Sequence, residues 1–138
     1  MTKNAIKNYF PLPNEIFNLD LETGEIAVYS YLLFCENRKN YTCYPSYKTI
    51  GKAIKMSSNT VRKYVAMLVE KELIKTEQTS VFTRDGLKRN GNLLYTISPI
   101  SHAVELKNTR LLLKIERETK ETKTAKKVEN AEKKQKAG

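Results

Sequence analysis

The chain has 138 residues, of which 40% are hydrophobic and 29% are charged, and its formal net charge is +10 at pH 7. This length allows one domain of ordinary size plus a tail, and the composition is that of a soluble globular domain, which excludes a fibrous or wholly disordered chain. No apolar run approaches the ~20 residues that span a bilayer, and residues 1–4 lack the apolar segment of a secretion signal, so we expect a cytoplasmic protein with no membrane partner.

The positive charge is concentrated in the middle of the sequence. Residues 46–91 contain ten Lys and Arg against four Asp and Glu, a net charge of +6, whereas residues 1–45 carry a net charge of −1. Such an excess is the electrostatic footprint of a surface that meets phosphates, although an acidic membrane or an acidic protein would also be attracted to it. The charge therefore indicates an anionic partner without choosing among these classes.

The first predicted helix covers residues 24–36. Before it, residues 9–17 are aromatic and punctuated by proline, which predicts an extended arm followed by a short turn. Thr23 offers a plausible N-cap, and apolar residues then recur at helical spacing as far as Phe34. A polar loop over residues 37–44 follows.

Two more helices are predicted at residues 47–54 and 57–71. Ser46, directly after Pro45, is the expected N-cap of the first, and Ser57 is the expected N-cap of the second. The second helix has the stronger pattern, because its apolar residues recur at the spacing of a half-buried helix. That apolar stripe consists of Val61, Tyr64, Val65 and Leu68.

A β-hairpin is predicted after the third helix. β-branched residues and turn signals place its strands at about residues 73–82 and 92–98. The connection, residues 83–91, contains two glycine turn signals and three cations. We therefore expect a long, basic hairpin tip.

These elements predict three segments and one fold class. Helix, short helix, turn, longer helix and hairpin is the order of a winged helix-turn-helix, which we assign to residues 1–100. Residues 101–117 predict a C-terminal helix that is a candidate for homodimerisation. Residues 118–138 predict a charged tail, which is either a solvated helix or a disordered, flexible segment. The expected fold is mainly α with a β-hairpin.

The polar face of the 57–71 helix is the candidate surface for reading DNA, because its first two turns carry side chains that can reach base edges and phosphates in a major groove. The start of the 47–54 helix offers free amides that attract phosphate, and the cations of the hairpin tip suit a minor groove or its phosphates. The candidate DNA-binding residues are Ser46, Tyr47 and Lys48 in the short helix, Ser57, Ser58, Asn59, Thr60, Arg62 and Lys63 in the longer helix, and Arg84, Lys88 and Arg89 in the tip.

Each candidate has a purely structural alternative. Ser58 and Thr60 could merely support a cap, and Arg62 could belong, with Lys63, to an ordinary solvated face. Tyr47 could be an aromatic residue at the edge of the core, and the cations of the tip could only keep a loop soluble. The pattern by itself leaves both interpretations open.

Four segments of the chain resemble the small helix-turn-helix proteins of Firmicutes and their mobile elements: residues 10–17 (FPLPNEIF), 23–32 (TGEIAVYSYL), 44–51 (YPSYKTIG) and 57–64 (SSNTVRKY). The sequence is more distantly similar to the DNA-binding part of plasmid and phage replication initiators and to GntR-type regulators, whose recognition helices begin with a comparable Ser-x-x-Thr-Val-Arg run. The resemblance covers about residues 8–100 and implies a winged-helix DNA-binding fold without enzyme activity. It implies groove-facing roles for Ser58, Asn59, Thr60, Arg62 and Lys63, and a phosphate-backbone clamp made by Ser46, Tyr47 and Lys48.

Two positions depart from the pattern of those proteins. Lys55 stands where the tight turn usually carries glycine, so we expect either a left-handed backbone at Lys55 or a changed turn. Gly51 stands where a small alanine is usual, which keeps the two helices close but weakens the short helix by ~1 kcal/mol.

No catalytic or metal-binding constellation is found in the sequence. Cys35 and Cys43 are the only cysteines and lack the spacing of a zinc site, so we expect two reduced thiols in or near the core. His102 is the only histidine, and no nucleophile stands beside a base that could activate it. We therefore predict no enzyme activity, no cofactor, no metal and no small-molecule ligand.

Three functions are compatible with the sequence. A transcriptional regulator would bind operator DNA as a dimer, whereas an accessory replication initiator of a plasmid, phage or integrated element would read an origin repeat. About 38 residues follow residue 100, which is short for the second domain of an initiator and favours the regulator. The lesser alternative is a winged helix that docks an acidic protein, in which case replacing Asn59, Thr60 or Arg62 would not change the affinity for nucleic acid.

Overall fold

The computed structural model describes the backbone of residues 8–137 and the side chains of residues 8–122. Residues 1–4 lie outside the described residues, so the structure does not test the expectation that there is no secretion signal. The order of helices and strands confirms the predicted winged helix-turn-helix fold. In chain order the elements are a 3-10 helix (Asn14–Asn18), α1 (Thr23–Cys35), β1 (Thr42–Cys43), α2 (Tyr47–Ile54), α3 (Ser58–Glu70), β2 (Ile74–Phe82), β3 (Lys88–Ile97) and α4 (Ile100–Ala137).

The first helix, α1, is capped by Glu22, so the prediction that Thr23 is its N-cap was wrong. Glu22 and Glu25 form a capping box, in which the Glu22 amide donates to Oε1 of Glu25 at 3.0 Å. The buried Glu25 carboxylate also accepts hydrogen bonds from Nζ of Lys71, at 2.8 and 3.0 Å. Because Lys71 directly follows α3, this ion pair ties the start of α1 to the end of α3.

The second and third helices have the predicted N-caps. The Ser46 hydroxyl accepts a hydrogen bond from the amide of Thr49 at 3.1 Å, and the Ser57 hydroxyl accepts one from the amide of Thr60 at 3.2 Å. Each bond satisfies an amide in the first turn of its helix, because such an amide has no hydrogen-bond acceptor within the helix. The local capping signal therefore sets where α2 and α3 begin.

The turn between α2 and α3 involves the two unusual positions, Lys55 and Gly51. Lys55 has φ 62° and ψ 48°, so of the two outcomes expected for it the structure has the left-handed backbone. The amide of Met56 then donates to the carbonyl oxygen of Gly51 at 2.8 Å. A Cβ atom at Gly51 would collide with the carbonyl oxygen of Met56, so alanine does not fit at this position without displacing the turn.

The sheet contains a strand that the sequence analysis missed. Its order is β1-β3-β2, all antiparallel, and β1 pairs Thr42 with Thr96 and Cys43 with Tyr95. The segment had been predicted as part of a polar loop. A strand of two residues leaves no alternating pattern, and it forms here because β3 offers a free edge beside it.

The hairpin tip is shorter than predicted. Val81 pairs with Arg89 and Phe82 pairs with Lys88, so residues 88–91 belong to β3. The prediction of a long loop over residues 83–91 was therefore wrong. The connection covers residues 83–87, where the Thr83 amide donates to the Leu87 carbonyl oxygen at 2.9 Å. Local turn signals mark where a hairpin reverses, but cross-strand pairing decides how far the strands extend.

One core lies between the helices and the base of the hairpin. α3 contributes its predicted apolar stripe, of which Tyr64 is half-buried and lies where a Cβ atom on Gly24 would collide with its ring. Fully buried side chains come from every layer of the fold. They include Ile16, Val28, Tyr29, Leu32, Ile50, Val61, Leu68, Leu73, Ile74 and Tyr95.

The last helix, α4, extends through both C-terminal segments. It continues beyond residue 117, so residues 118–137 are helical, which is one of the two states expected for the charged tail. The first compact unit of the chain ends at Val104, where Ala103 is buried in the core. The second unit begins at Glu105 and consists of the remainder of α4.

Candidate nucleic-acid interface

The outer face of α3 carries most of the predicted groove-facing residues. Ser58, Asn59, Arg62 and Lys63 are exposed, while Val61 and the rest of the apolar stripe face the core. This separation follows from the 3.6-residue helical period, which keeps residues three and four positions apart on one face. The start of α3 therefore presents hydrogen-bonding and cationic side chains to solvent.

The two N-caps give Ser46, Ser57 and Thr60 a structural role. The hydroxyls of Ser57 and Thr60 lie 2.9 Å apart, in addition to the capping bond to the Thr60 amide. Thr60 is half-buried and Ser58 is exposed with its hydroxyl outside this pair. Of the serines and threonines predicted on α3, Ser58 has the side chain that is best placed to meet a ligand.

Two aromatic rings support the cations of α3. The guanidinium carbon of Arg62 lies 5.6 Å from the centre of the Tyr47 ring, and Nζ of Lys63 lies 5.2 Å from the centre of the Tyr64 ring. Contacts of this kind stabilise an exposed cation by about 0.5–1 kcal/mol and restrict its rotamers. Tyr47 thus links the start of α2 to Arg62.

A concave surface joins α2, α3 and the hairpin. Its cavity, about 500 Å³, brings together five of the predicted DNA-binding residues: Ser46, Tyr47, Lys48, Ser58 and Arg62. The opposite wall is formed by Gln78 of β2 and by Asn90 and Asn92 of β3. We call this surface the α2–α3–wing concavity.

A β-bulge sets which side of the hairpin belongs to this concavity. Gln78 pairs with Leu93 and Ser80 pairs with Asn90, so β3 contains one more residue than β2 over this stretch. The extra residue reverses the alternation of side chains along β3 and puts Asn90 on the same face as Leu93. Both residues line the concavity, in agreement with this placement.

The same register separates the cations of the hairpin. Phe82 and Lys88 continue the face that carries Asn90, whereas Val81 and Arg89 lie on the opposite face. Arg84 lies in the connection itself and is exposed. The structure therefore does not bring Arg84, Lys88 and Arg89 together on one surface, although the sequence pattern grouped them.

Known proteins share the central part of this arrangement. Residues 19–74 match the family model of a helix-turn-helix domain. No curated protein matches the sequence. Among solved structures, a chain described as a possible transcriptional regulator from Methanosarcina mazei Go1 is similar, with 17% identity and a TM-score of 0.46, over 80% of this chain and 98% of that one.

The matched helix-turn-helix domain contains α1 to α3, and most of the hairpin lies beyond it. The domain thus includes every predicted site residue of α2 and α3. Asn59, Thr60 and Lys63 lie on α3 outside the lining of the concavity, as does the capping residue Ser57. The predicted cations of the hairpin also lie outside that lining.

The sequence analysis missed the three amide side chains of the hairpin wall. Nε2 of Gln78 donates to the Gly91 carbonyl oxygen at 2.8 Å, and Nδ2 of Asn92 donates to the Tyr44 carbonyl oxygen at 3.2 Å. Three amides in a segment that favours β-branched residues were a signal, because asparagine is disfavoured within strands. Their common surface could not be found without the bulge and the strand register.

Three further features concern metals, membranes and thiols. No group of three or more His, Cys, Asp or Glu within residues 8–122 could hold a metal ion. No helix among the described residues is long and apolar enough to cross a membrane. Cys43 is buried and Cys35 packs against the core, both with free thiols, which confirms the placement expected for them.

Proposed function

We propose that the protein binds double-stranded DNA in a sequence-specific manner and regulates transcription. The observation that carries the proposal is the α2–α3–wing concavity, where the start of α2, the outer face of α3 and polar side chains of the hairpin converge. The match of residues 19–74 to a helix-turn-helix domain supports it. This role requires access to DNA, and we propose that the protein is located in the cytoplasm.

The dimensions and chemistry of α3 suit a major groove. An α-helix with its side chains is about 10–12 Å wide, and the major groove of B-DNA is about 12 Å wide. Arg62 can donate to O6 and N7 of guanine, and Asn59 can pair with adenine, while Ser58 can bond to several bases. Lys63 is better suited to a phosphate, because its ammonium group is a point charge without a fixed fork.

The start of α2 suits the phosphate backbone. Ser46 caps the helix, and Tyr47 and Lys48 follow it at the edge of the concavity. Unpaired amides and the positive end of the helix dipole attract an anion at this position. Contacts of this kind would fix the orientation of α3 in the groove and carry no sequence information themselves.

We also propose that the protein forms a homodimer through α4. Leu111, Leu112 and Ile115 are exposed, and the helical period places them within about 100° of one another around α4. Association of two copies through this face would bury the three side chains and offer two recognition helices to a palindromic site. Sedimentation equilibrium is expected to give a dimer for the protein and a monomer for Leu112→Lys. Leu113→Lys, which makes the same change at an exposed position on the far side of α4, should remain dimeric, and a monomeric wild type would contradict this part of the proposal.

The first experiment is selection of bound duplexes from a random-sequence pool at two salt concentrations, followed by fluorescence anisotropy. Recovery of a short motif whose binding survives the higher salt is expected. Weak binding to every sequence, lost as salt rises, would leave only counterion release and contradict sequence-specific recognition. The position of the motif in the genome would distinguish a promoter from a replication origin.

The second experiment replaces Arg62. Arg62→Ala is expected to lower the affinity for the selected duplex by about 1–3 kcal/mol and to relax the preference at one base pair. Lys39→Ala is the control, since Lys39 is an exposed cation outside the concavity. An equal loss of affinity for every sequence would mean that Arg62 contacts a phosphate and does not read a base.

A further inference from the structure

The far end of the hairpin exposes an aromatic side chain on the face that continues the concavity. Phe82 is 74% exposed, although it is one of the largest apolar residues in the chain. Beyond the Ser80–Asn90 pair the hairpin has no third strand beside it, because β1 pairs with β3 only at Thr96 and Tyr95. The end of the hairpin is therefore a free two-stranded ribbon.

The strand register determines which way Phe82 faces. Gln78, Ser80 and Phe82 alternate along one face of β2, and their partners Leu93, Asn90 and Lys88 lie on that same face of β3. Gln78, Asn90 and Leu93 line the concavity. Phe82 and Lys88 therefore extend the proposed DNA-binding face by one more cross-strand pair.

The connection beside Phe82 is held in one geometry. The Thr83 amide donates to the Leu87 carbonyl oxygen at 2.9 Å, and the Gly86 amide donates to the Thr83 carbonyl oxygen at 2.9 Å. Gly86 adopts φ 78°, which closes the turn. The turn and the pairing of Phe82 with Lys88 therefore fix the backbone position from which the Phe82 side chain projects.

We propose that Phe82 acts as an apolar wedge that enters the minor groove of the bound duplex and partly unstacks a base step, while Lys88 contacts the adjoining phosphate. This inference rests on the proposed DNA binding and adds to it a bend in the DNA. Apolar wedges in the minor groove open a step and bend the duplex towards the major groove. Pyrimidine–purine steps such as TA unstack most easily, so the wedge would favour such a step without a hydrogen bond to any base.

The test measures bending and binding separately. The probe is a 30-base-pair duplex with a central TA step, with donor and acceptor dyes at its ends and 2-aminopurine beside the step, used at low salt where binding needs no particular sequence. Saturating wild-type protein is expected to raise the energy transfer and the 2-aminopurine fluorescence. Phe82→Ala is expected to lose most of both signals at saturation, with Kd raised about 5- to 100-fold, the range for loss of one aromatic contact with a base.

Val81→Ala removes an apolar side chain that is 51% exposed on the opposite face of the same strand, and it should keep both signals. Equal bending by wild type and Phe82→Ala, an equal loss in Val81→Ala, or self-association of the free protein that depends on Phe82 would overturn the wedge while leaving DNA binding intact. Failure of the wild type to bind any duplex at low salt would instead overturn the proposed function.

Discussion

Glu25 and Lys71 form an ion pair that joins two helices of the helix-turn-helix domain. The Glu25 side chain is fully buried, whereas that of Lys71 is 28% exposed. A buried carboxylate is costly unless it is paired, so the two residues depend on each other. Single residues of this kind hold α1 against α3 and thereby fix the face that α3 presents.

Replacement of Lys71 by methionine is expected to destabilise the protein by about 3 kcal/mol, because the Glu25 carboxylate then stays buried without its cation. The double variant Glu25→Gln with Lys71→Met should recover most of that loss, since glutamine keeps an oxygen for the Glu22 amide and removes the charge. Urea denaturation measures both. Lys75→Met, at an exposed position of β2, is the control. A Lys71→Met variant as stable as wild type would show that the pair contributes nothing.

The thiol of Cys43 is a second residue-scale feature. Burial raises its pKa to about 12, and the nearby Cys35 and Glu36 act in the same direction. The thiolate is the reactive form, so Cys43 should resist modification in the native state. Its hydrogen bond to the Leu32 carbonyl oxygen, at 3.6 Å, keeps the proton in the core.

We expect Cys43 in a Cys35→Ala variant to remain unlabelled by a disulfide reagent at pH 8 until the protein is unfolded. An unfolded thiol ionises at about pH 8.5, well before the native one. The free energy of unfolding should therefore fall as pH rises from about 8.5 towards 12, because the unfolded state releases its proton first. Mass spectrometry measures the labelling, and fast labelling of the native variant would contradict the burial of Cys43.

At the scale of elements, the turn between α2 and α3 sets the angle between these two helices. Lys55 occupies a left-handed conformation that costs a non-glycine residue about 1–2 kcal/mol. Lys52, three residues earlier, is exposed within α2 and has ordinary helical surroundings. The same substitution should thus have opposite effects at the two positions.

Lys55→Gly is expected to stabilise the protein by up to ~1 kcal/mol, because glycine adopts the left-handed conformation without strain. Lys52→Gly is expected to destabilise it by ~1 kcal/mol through the low helix propensity of glycine. Both variants lose one positive charge, so a comparison of their thermal unfolding cancels that change. Destabilisation by Lys55→Gly would mean that the lysine side chain stabilises the protein by more than the left-handed backbone at this position costs in free energy.

At the scale of the whole molecule, the net charge has two sources. The folded segment at residues 46–91 carries +6, and residues 118–138 carry seven Lys against four Glu. Side chains 118–122 are exposed, so they add charge without contributing to the core. We propose that this last segment strengthens binding to any DNA, whereas the concavity provides the preference for a sequence.

Deletion of residues 118–138 is expected to leave the melting temperature unchanged and to lower mainly the affinity for mixed-sequence duplex, with a smaller dependence of log K on log salt. Calorimetry and anisotropy at several salt concentrations measure the two effects. Deletion of residues 101–138 is the contrasting variant, and it should be less stable because Ala103 is buried. Loss of stability in the shorter deletion would show that the last segment packs against another part of the protein.

The sequence by itself determined the features that depend on residues close together in the chain. Caps and apolar periodicity are encoded within a few residues, which is why the starts of α2 and α3 could be predicted and why a left-handed Lys55 was one of two expected outcomes. Five of the candidate DNA-binding residues meet in the concavity because they lie on the two helices whose caps and faces the sequence defines.

Only the tertiary structure decided the features that join distant residues. β1 exists because β3 lies beside it, Glu25 is buried because Lys71 reaches it, and Gly51 is required because Met56 turns back over it. The bulge opposite Thr79 put Asn90 and Phe82 on one face and Arg89 on the other. A shift of one residue in strand pairing moves every side chain to the other face, and that register depends on contacts that no short window of sequence contains.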